Sequence, residues 1–152
     1  MIKIAHRGNT TGSDPELENS PKYLMEAIQS GFDVEVDVWV RDEEISFGHD
    51  GPKYLFIPES FLLEIGHAAW FHCKNFEALN FFNNTFPHLN YFWHQHDDFT
   101  LTSQGHIWTY PGKQIGPTSV LVMPEIDYID IQDAIDFYKP NYVCSDLVGL
   151  LS

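Results

Sequence analysis

At 152 residues, with 43% hydrophobic and 15% aromatic content, the chain can bury a real core and is neither disordered nor low-complexity. Its formal net charge of −14 argues against nucleic acid and anionic membrane as partners, because both require a basic surface. No apolar stretch is long enough to span a membrane, and Met1-Ile2-Lys3-Ile4-Ala5 is too short for a signal-peptide core.

Met1 to Ala5 instead reads as a first strand, ending in His6-Arg7-Gly8. A polar, Gly-containing loop runs over residues 9–19. Ser20 then serves as an N-cap with Pro21 at the first helical position. Tyr23, Leu24, Ala27 and Ile28 fall at helical spacing, and Gly31 sits where a helix-terminating glycine belongs. Next comes Asp33-Val34-Glu35-Val36-Asp37-Val38-Trp39-Val40, in which valine fills every second position. That alternation is a β-strand signature, and it puts Glu35 and Asp37 on one face, about 6.5–7 Å apart. Carboxylates so close repel each other unless a cation lies between them. The β-branched run points to a strand buried on the valine side and partly enclosed on the other. A divalent metal is the economical explanation, and a polar strand face is the plainer one.

A charged turn over residues 41–44 and the run Ile45-Ser46-Phe47 form a small hairpin that delivers Gly48-His49-Asp50-Gly51. Pro58 to Ile65 is a short helix. Ala68 to Cys73 is a strand ending at His72-Cys73-Lys74, and Asn75 to Asn83 is a helix. Asn90 to Trp93 is a strand followed by His94-Gln95-His96-Asp97-Asp98. A turn over Thr100 to Gly105 leads into His106-Ile107-Trp108-Thr109. Pro111, Gly112, Gly116 and Pro117 mark a long loop. Ser119 to Met123 is a strand ending in Pro124-Glu125, Ile129 to Tyr138 a helix, and Tyr142-Val143-Cys144 the last strand. No linker or repeat interrupts the chain, so residues 1–152 read as one domain. Cys73 and Cys144 each lie in an apolar run. Two buried thiols without a secretory signal point to a reducing cytoplasm, with a single disulfide as the alternative.

The alternation of strands and helices predicts an α/β fold, and polar residues gather just after the strands. In parallel α/β folds the functional site lies at those carboxyl ends. His6-Arg7, Glu35-Asp37, His49-Asp50, His72-Lys74, His96-Asp97, Glu125 and Ser145-Asp146 all occupy such positions. Arg7 has two readings, a phosphate contact and an ion pair with Glu18 or Asp146. Glu18-Asn19 reads mainly as an organiser of the loop before the helix. His94 and His96 have the spacing of a metal pair on a strand, the basis of a zinc-hydrolase alternative, although a polar strand terminus with His96 facing substrate is the simpler view. Trp108 and Tyr110 read as core or wall residues.

Three segments in order, Ile4-Ala5-His6-Arg7-Gly8, Glu18-Asn19-Ser20 with Asp33-Val34-Glu35-Val36-Asp37-Val38, and His49-Asp50, resemble the glycerophosphodiester phosphodiesterase family. This family lies among the phospholipase C-like phosphodiesterases. Further along, His72-Cys73-Lys74 falls where the family usually has Glu-x-Lys, and Val143-Cys144-Ser145-Asp146 resembles its closing strand. The resemblance implies a TIM-type (β/α) barrel and hydrolysis of a small phosphodiester, most simply a glycerophosphodiester. It makes His6 and His49 the general acid and base. Glu35 and Asp37 become ligands of Mg²⁺ or Ca²⁺, and Arg7 and Lys74 contact the phosphate.

This chain departs from the family in two ways. It falls far below the usual barrel length of about 250 residues, so a trimmed barrel with outer helices shortened or missing is expected. Such a barrel leaves strand edges poorly covered, which admits a homo-oligomer. Also, His72 stands where the family supplies a carboxylate. As the third ligand it would favour Mn²⁺ or Zn²⁺. Otherwise Glu125 or Asp97 fills that place. The loss of that carboxylate also supports a non-catalytic metal- or phosphate-binding module. Asp50, His96, Trp108, Glu18 and Glu125 complete the candidate residues around the site.

Overall fold

The computed structural model describes residues 1–128 and 130–152. Among them, nine strands form one sheet. They are β1 (Ile2–His6), β2 (Asp33–Arg41), β3 (Glu44–Phe47), β4 (Ala69–Cys73), β5 (Asn90–Trp93), β6 (Phe99–Leu101), β7 (Ile107–Thr109), β8 (Ser119–Val122) and β9 (Tyr142–Ser145). Four helices accompany them: α1 (Pro21–Gln29), α2 (Glu59–Ile65), α3 (Phe76–Thr85) and α4 (Ile131–Tyr138).

The strand order β5-β4-β2-β1-β9-β8-β7-β6 follows the chain around a ring, with β3 hairpinned onto β2. All pairings are parallel except β2–β3 and β6–β7. The result is an α/β, nearly closed, barrel-like sheet with few helices. The gap lies between β5 and β6, where polar groups bridge the strands. Thr100 Oγ1 donates to Trp93 O at 2.9 Å, the Ser103 amide to Tyr91 O at 2.8 Å and Ser103 Oγ to Leu89 O at 2.8 Å.

Side-chain alternation sorts the core into two compartments. Ala5, Val34, Val36, Val38, Phe71 and Val143 face outward, against Leu24 and Ala27 of α1, Phe82 of α3 and Ala134 of α4. Ile4, Trp70, Phe92, Trp108, Val120, Val122 and Cys144 fill the barrel interior. Every second residue faces each side, so a strand that feeds the outer core with valine must send its other residues inward.

The local signals in the sequence account for the helices. Ser20 Oγ accepts from the Tyr23 amide with Pro21 opening α1, Asn75 Oδ1 accepts from the Ala78 amide, and Asp130 caps α4 through the Gln132 amide. The expected start of α4 at Ile129 lies outside the described residues, and the helix runs from Ile131. One strand was not expected. Phe99–Leu101, read partly as turn, pairs antiparallel with β7, because its three residues are too few to establish an alternation. No helix is long and apolar enough to cross a membrane among the described residues.

Candidate functional site

The parallel register lines up the polar strand ends. His6 lies opposite Glu35 across β1–β2, and Asp37 opposite His72 across β2–β4. All four face into the barrel above the apolar interior layer. With Arg7, His49, Lys74, His96 and Trp108 they line one cavity of about 480 Å³. Tyr110, Val122, Met123 and Ile126 form its far wall.

Glu35 and Asp37 are each only 1% exposed, so the strand is enclosed on both faces. Each carboxylate divides its work between its two oxygens. Asp37 Oδ2 accepts from Asn19 Nδ2 at 2.9 Å and lies 3.2 Å from Arg7 Nε, while Asp37 Oδ1 lies 3.3 Å from His72 Nδ1 and 3.6 Å from Lys74 Nζ. Glu35 Oε2 accepts from the Arg7 amide at 3.3 Å, and Glu35 Oε1 lies 3.4 Å from His72 Nδ1. One oxygen of each carboxylate and one imidazole nitrogen therefore converge. Among the described residues, Glu35, Asp37 and His72 are the group able to present three ligand atoms within 4.8 Å of one another. Burial alone would raise the Asp37 carboxyl, but the neighbouring His49 and His72 rings and the charge of Lys74 hold it well below the usual range. Burial would likewise lower His72, yet its two carboxylate partners push it up to about 9.

The two candidate acid–base histidines sit in different settings. His6 Nδ1 lies 2.8 Å from Asp146 Oδ1, which can only accept, so Nδ1 carries hydrogen and Nε2 keeps a lone pair. Burial opposes charge on this ring, but Asp146 and Glu35 outweigh it and raise its affinity for a proton. Asp146 is itself held below its usual range despite burial, by His6 and Asn9. His49 is 42% exposed at the cavity mouth. Arg7 NH2 lies 2.8 Å from its Nδ1, and a guanidinium only donates, so a neutral His49 carries its hydrogen on Nε2.

Tight backbone turns place both histidines. After His6 the chain turns with Arg7 at φ +55° and Gly8 at +90°, and a Cβ on Gly8 would meet Tyr23 Cδ1 at 2.9 Å. Gly48 has φ +155°, and a Cβ there would lie 2.0 Å from Gly51 O, so only glycine fits before His49.

Arg7 adopts the structural pairing with Glu18, NH1 to Oε2 at 3.2 Å, and not with Asp146. Its hydrogen bonds to Glu18 and His49 use one donor on each terminal nitrogen and leave one on each, while Nε is buried 3.2 Å from Asp37 Oδ2 as an ion pair without a hydrogen bond. Glu18 also accepts from Asn9 and Ser13 and is no part of the carboxylate–imidazole group.

The two alternatives for the third ligand, Glu125 and Asp97, lie outside this group. Glu125 Oε1 accepts from Ser145 Oγ at 2.7 Å and from the Asp146 amide at 2.9 Å, so it props the strand end under His6. Asp97 is exposed and offers its carbonyl to His94 Nε2 at 2.6 Å. His94 and His96, the spacing of a metal pair, follow β5 with His94 buried and His96 exposed, and neither belongs to the Glu35–Asp37–His72 group. Asp50 is fully exposed, 3.7 Å from His49 Nε2 and outside the cavity lining.

Several working residues were not assigned from sequence. Asp146 as the His6 partner and Asn19 as the clamp on Asp37 are the main ones; the Asn19 side chain also accepts from the Asp37 amide at 2.9 Å. A carboxylate just after the strand that closes onto β1 is the one signal that could have found Asp146. Compared with known proteins, the chain stands apart: no family model matches it, and neither a curated protein nor a solved structure does.

Proposed function

We propose that this protein is a metal-dependent phosphodiesterase acting on a small phosphodiester, most simply a glycerophosphodiester. In this reading the sheet is a trimmed TIM-type barrel of the glycerophosphodiester phosphodiesterase family. The observation that carries it is a pair of histidines, His6 oriented by Asp146 and His49 set between Arg7 and Asp37, lining one cavity with a carboxylate–imidazole group and two cations.

A phosphodiester is an anion that gains charge as it is attacked, and a protein of net charge −14 must supply local positive charge to hold it. Lys74 and the two remaining Arg7 donors do this. His6 Nε2, its ring oriented by Asp146, removes the proton from the attacking hydroxyl of substrate or water. His49, when protonated on both ring nitrogens with Nδ1 3.5 Å from Asp37 Oδ2, gives its Nε2 proton to the departing alkoxide and is left neutral. Glu35, Asp37 and His72 would hold a divalent cation, Mg²⁺, Ca²⁺, Mn²⁺ or Zn²⁺, which when bound stabilises charge on the phosphoryl oxygens. The donor set fits, because both carboxylates are buried and each turns one oxygen toward His72 Nδ1. Two buried free thiols, Cys73 and Cys144, support placing the protein in the cytoplasm.

The test is to chelate the protein, titrate back each of the four metals, and assay glycerophosphodiester cleavage in wild type, His6→Ala and Glu35→Ala. Metal-dependent turnover that survives both substitutions overturns the reading. Engagement of Arg7 by Glu18, Asp37 and His49 favours a second one, a non-catalytic metal- or phosphate-binding module. Bound metal with no turnover on a broad phosphodiester panel selects it.

A further inference from the structure

His72 has features that a generic divalent site does not require. Its Nε2 lies 2.8 Å from the carbonyl oxygen of His94. A carbonyl only accepts, so Nε2 carries hydrogen, and the neutral ring has its lone pair on Nδ1. That atom faces Glu35 Oε1 and Asp37 Oδ1 at 3.4 and 3.3 Å. The ring is stacked on Phe92, centroids 4.9 Å apart and planes 14° from parallel. The carbonyl is itself braced, because the His94 ring is anchored to Asp97 O. Strand register opposite Asp37 sets the position of His72, and the His94 carbonyl sets its tautomer.

We propose that His72 makes this a one-nitrogen, two-carboxylate site selective for a borderline transition metal, of the Mn²⁺–Zn²⁺ class, over Mg²⁺ and Ca²⁺. The inference rests on the metal part of the proposed function and not on phosphodiester cleavage. Hard cations are held by charge and oxygen count, and Ca²⁺ takes about 6–8 oxygens. Here one of the two carboxylates, Asp37, is partly neutralised by Arg7 and Lys74, at 3.2 and 3.6 Å. That weakens a purely ionic hold. An imidazole nitrogen adds a bond that d-block cations gain from and Mg²⁺ and Ca²⁺ hardly do. The His94–Asp98 segment thus has a role that the family resemblance leaves unassigned: its backbone orients the ligand.

The experiment measures binding to the chelated full chain, with Zn²⁺ by competition against a chromophoric chelator, Mn²⁺ by EPR, and Mg²⁺ and Ca²⁺ by calorimetry. Zn²⁺ is expected to bind on the order of 100-fold or more tighter than Mg²⁺ and Ca²⁺, with Mn²⁺ between them. His72→Glu should compress that ratio by about 10–100-fold, the scale on which even the loss of a ligand's outer partner weakens a metal site. His72→Asn, smaller and still polar, supplies the same comparison if the glutamate variant folds poorly. Pulsed EPR with Cu²⁺ as probe should detect a coordinated imidazole in wild type and in His6→Ala, and lose it in His72→Glu. Equal affinity for Ca²⁺ and Zn²⁺, or an unchanged ratio in the His72 variants, overturns the inference. No binding of any metal overturns it together with the metal part of the function. The expected selectivity without turnover leaves it standing and removes only the catalytic reading.

Discussion

The two sides of the barrel are built differently. Strands β1, β2 and β4 are backed by α1, α2 and α3 and carry His6, Glu35, Asp37 and His72 at their carboxyl ends. The side from β5 to β8 has no helix in its connections, and an antiparallel strand and a long loop stand in their place. It contributes Trp108, Tyr110, Val122 and Met123 to the cavity, an aromatic and apolar wall. Burying two carboxylates at 1% exposure needs a rigid, hydrogen-bonded frame, because an unmet charge there would be costly. A wall that only excludes water and shapes a pocket tolerates loops. Chemistry should therefore fail abruptly when the helix-backed side is altered, and selectivity should drift when the other side is.

The sharpest way to break this contrast is His6→Ala. Loss of a general base should lower kcat/KM for phosphodiester cleavage by about 10²–10⁴-fold. Asp146 keeps its bond from Asn9 Nδ2 at 2.9 Å in this variant, and the far-UV CD spectrum should be that of the folded protein. Activity close to wild type would remove the helix-backed side from the chemistry.

Proton competition at His72 comes next in size. Its Nδ1 lies between two carboxylates and its pKa is pushed up to about 9, so a metal that takes this nitrogen must displace a proton at neutral pH. Affinity should therefore rise with pH, by about tenfold per unit, and level off above about 9. Calorimetry at pH 7 in two buffers of different ionisation enthalpy should register close to one proton released per metal bound. The Asp37 carboxyl, held well below its usual range, is already ionised there and releases none. A pH-independent affinity would mean that His72 is not a ligand.

Much of the helix-backed side was legible in the sequence because its signals are local. Valine alternation puts Glu35 and Asp37 on one face, and caps at Ser20 and Asn75 start α1 and α3. The strand-end rule gathers His6, Arg7, Glu35, Asp37, His49, His72 and Lys74, and one cavity holds them all. What could not be read is long-range. The His6–Asp146 bond joins residues 140 apart, and nothing local to either predicts it. Glu125 looked like a ligand because it follows a strand, yet its carboxylate turns to Ser145 and the Asp146 amide. On the other side, β6 is too short to carry a pattern, and its pairing depends on a partner six residues further on.

The seam between the two sides offers a stability test. Ser103 Oγ donates to Leu89 O at 2.8 Å and accepts from the Tyr91 amide at 3.0 Å, which ties the β6–β7 turn to β5. Ser103→Ala leaves the Tyr91 amide without its partner, while Leu89 O keeps Gln104 Nε2 at 3.3 Å, at a cost of about 1–3 kcal/mol. Urea denaturation should record that loss while kcat/KM per folded molecule stays unchanged, because Ser103 bonds at the start of β5, away from the strand end where His72 meets Phe92 and the His94 carbonyl. A comparable fall in activity would mean that the two sides are mechanically coupled and that the division of labour fails.

The smallest effect is expected at Tyr110, on the loop-built wall. Its ring is 43% exposed, lines the cavity, and lies 5.7 Å from the His94 ring, while its amide donates to Asp98 O at 2.9 Å. The backbone bond survives side-chain truncation, so Tyr110→Ala should leave the loop in place and remove only apolar surface from the pocket. A contact made equally in the ground and transition states affects KM and leaves kcat alone. Steady-state kinetics should accordingly give a KM raised several-fold with kcat nearly constant, and more so for substrates with a bulkier alcohol arm. A fall in kcat at constant KM would instead place the Tyr110 hydroxyl in the transition state, and the wall would then share in the chemistry that the opposite side has been assigned.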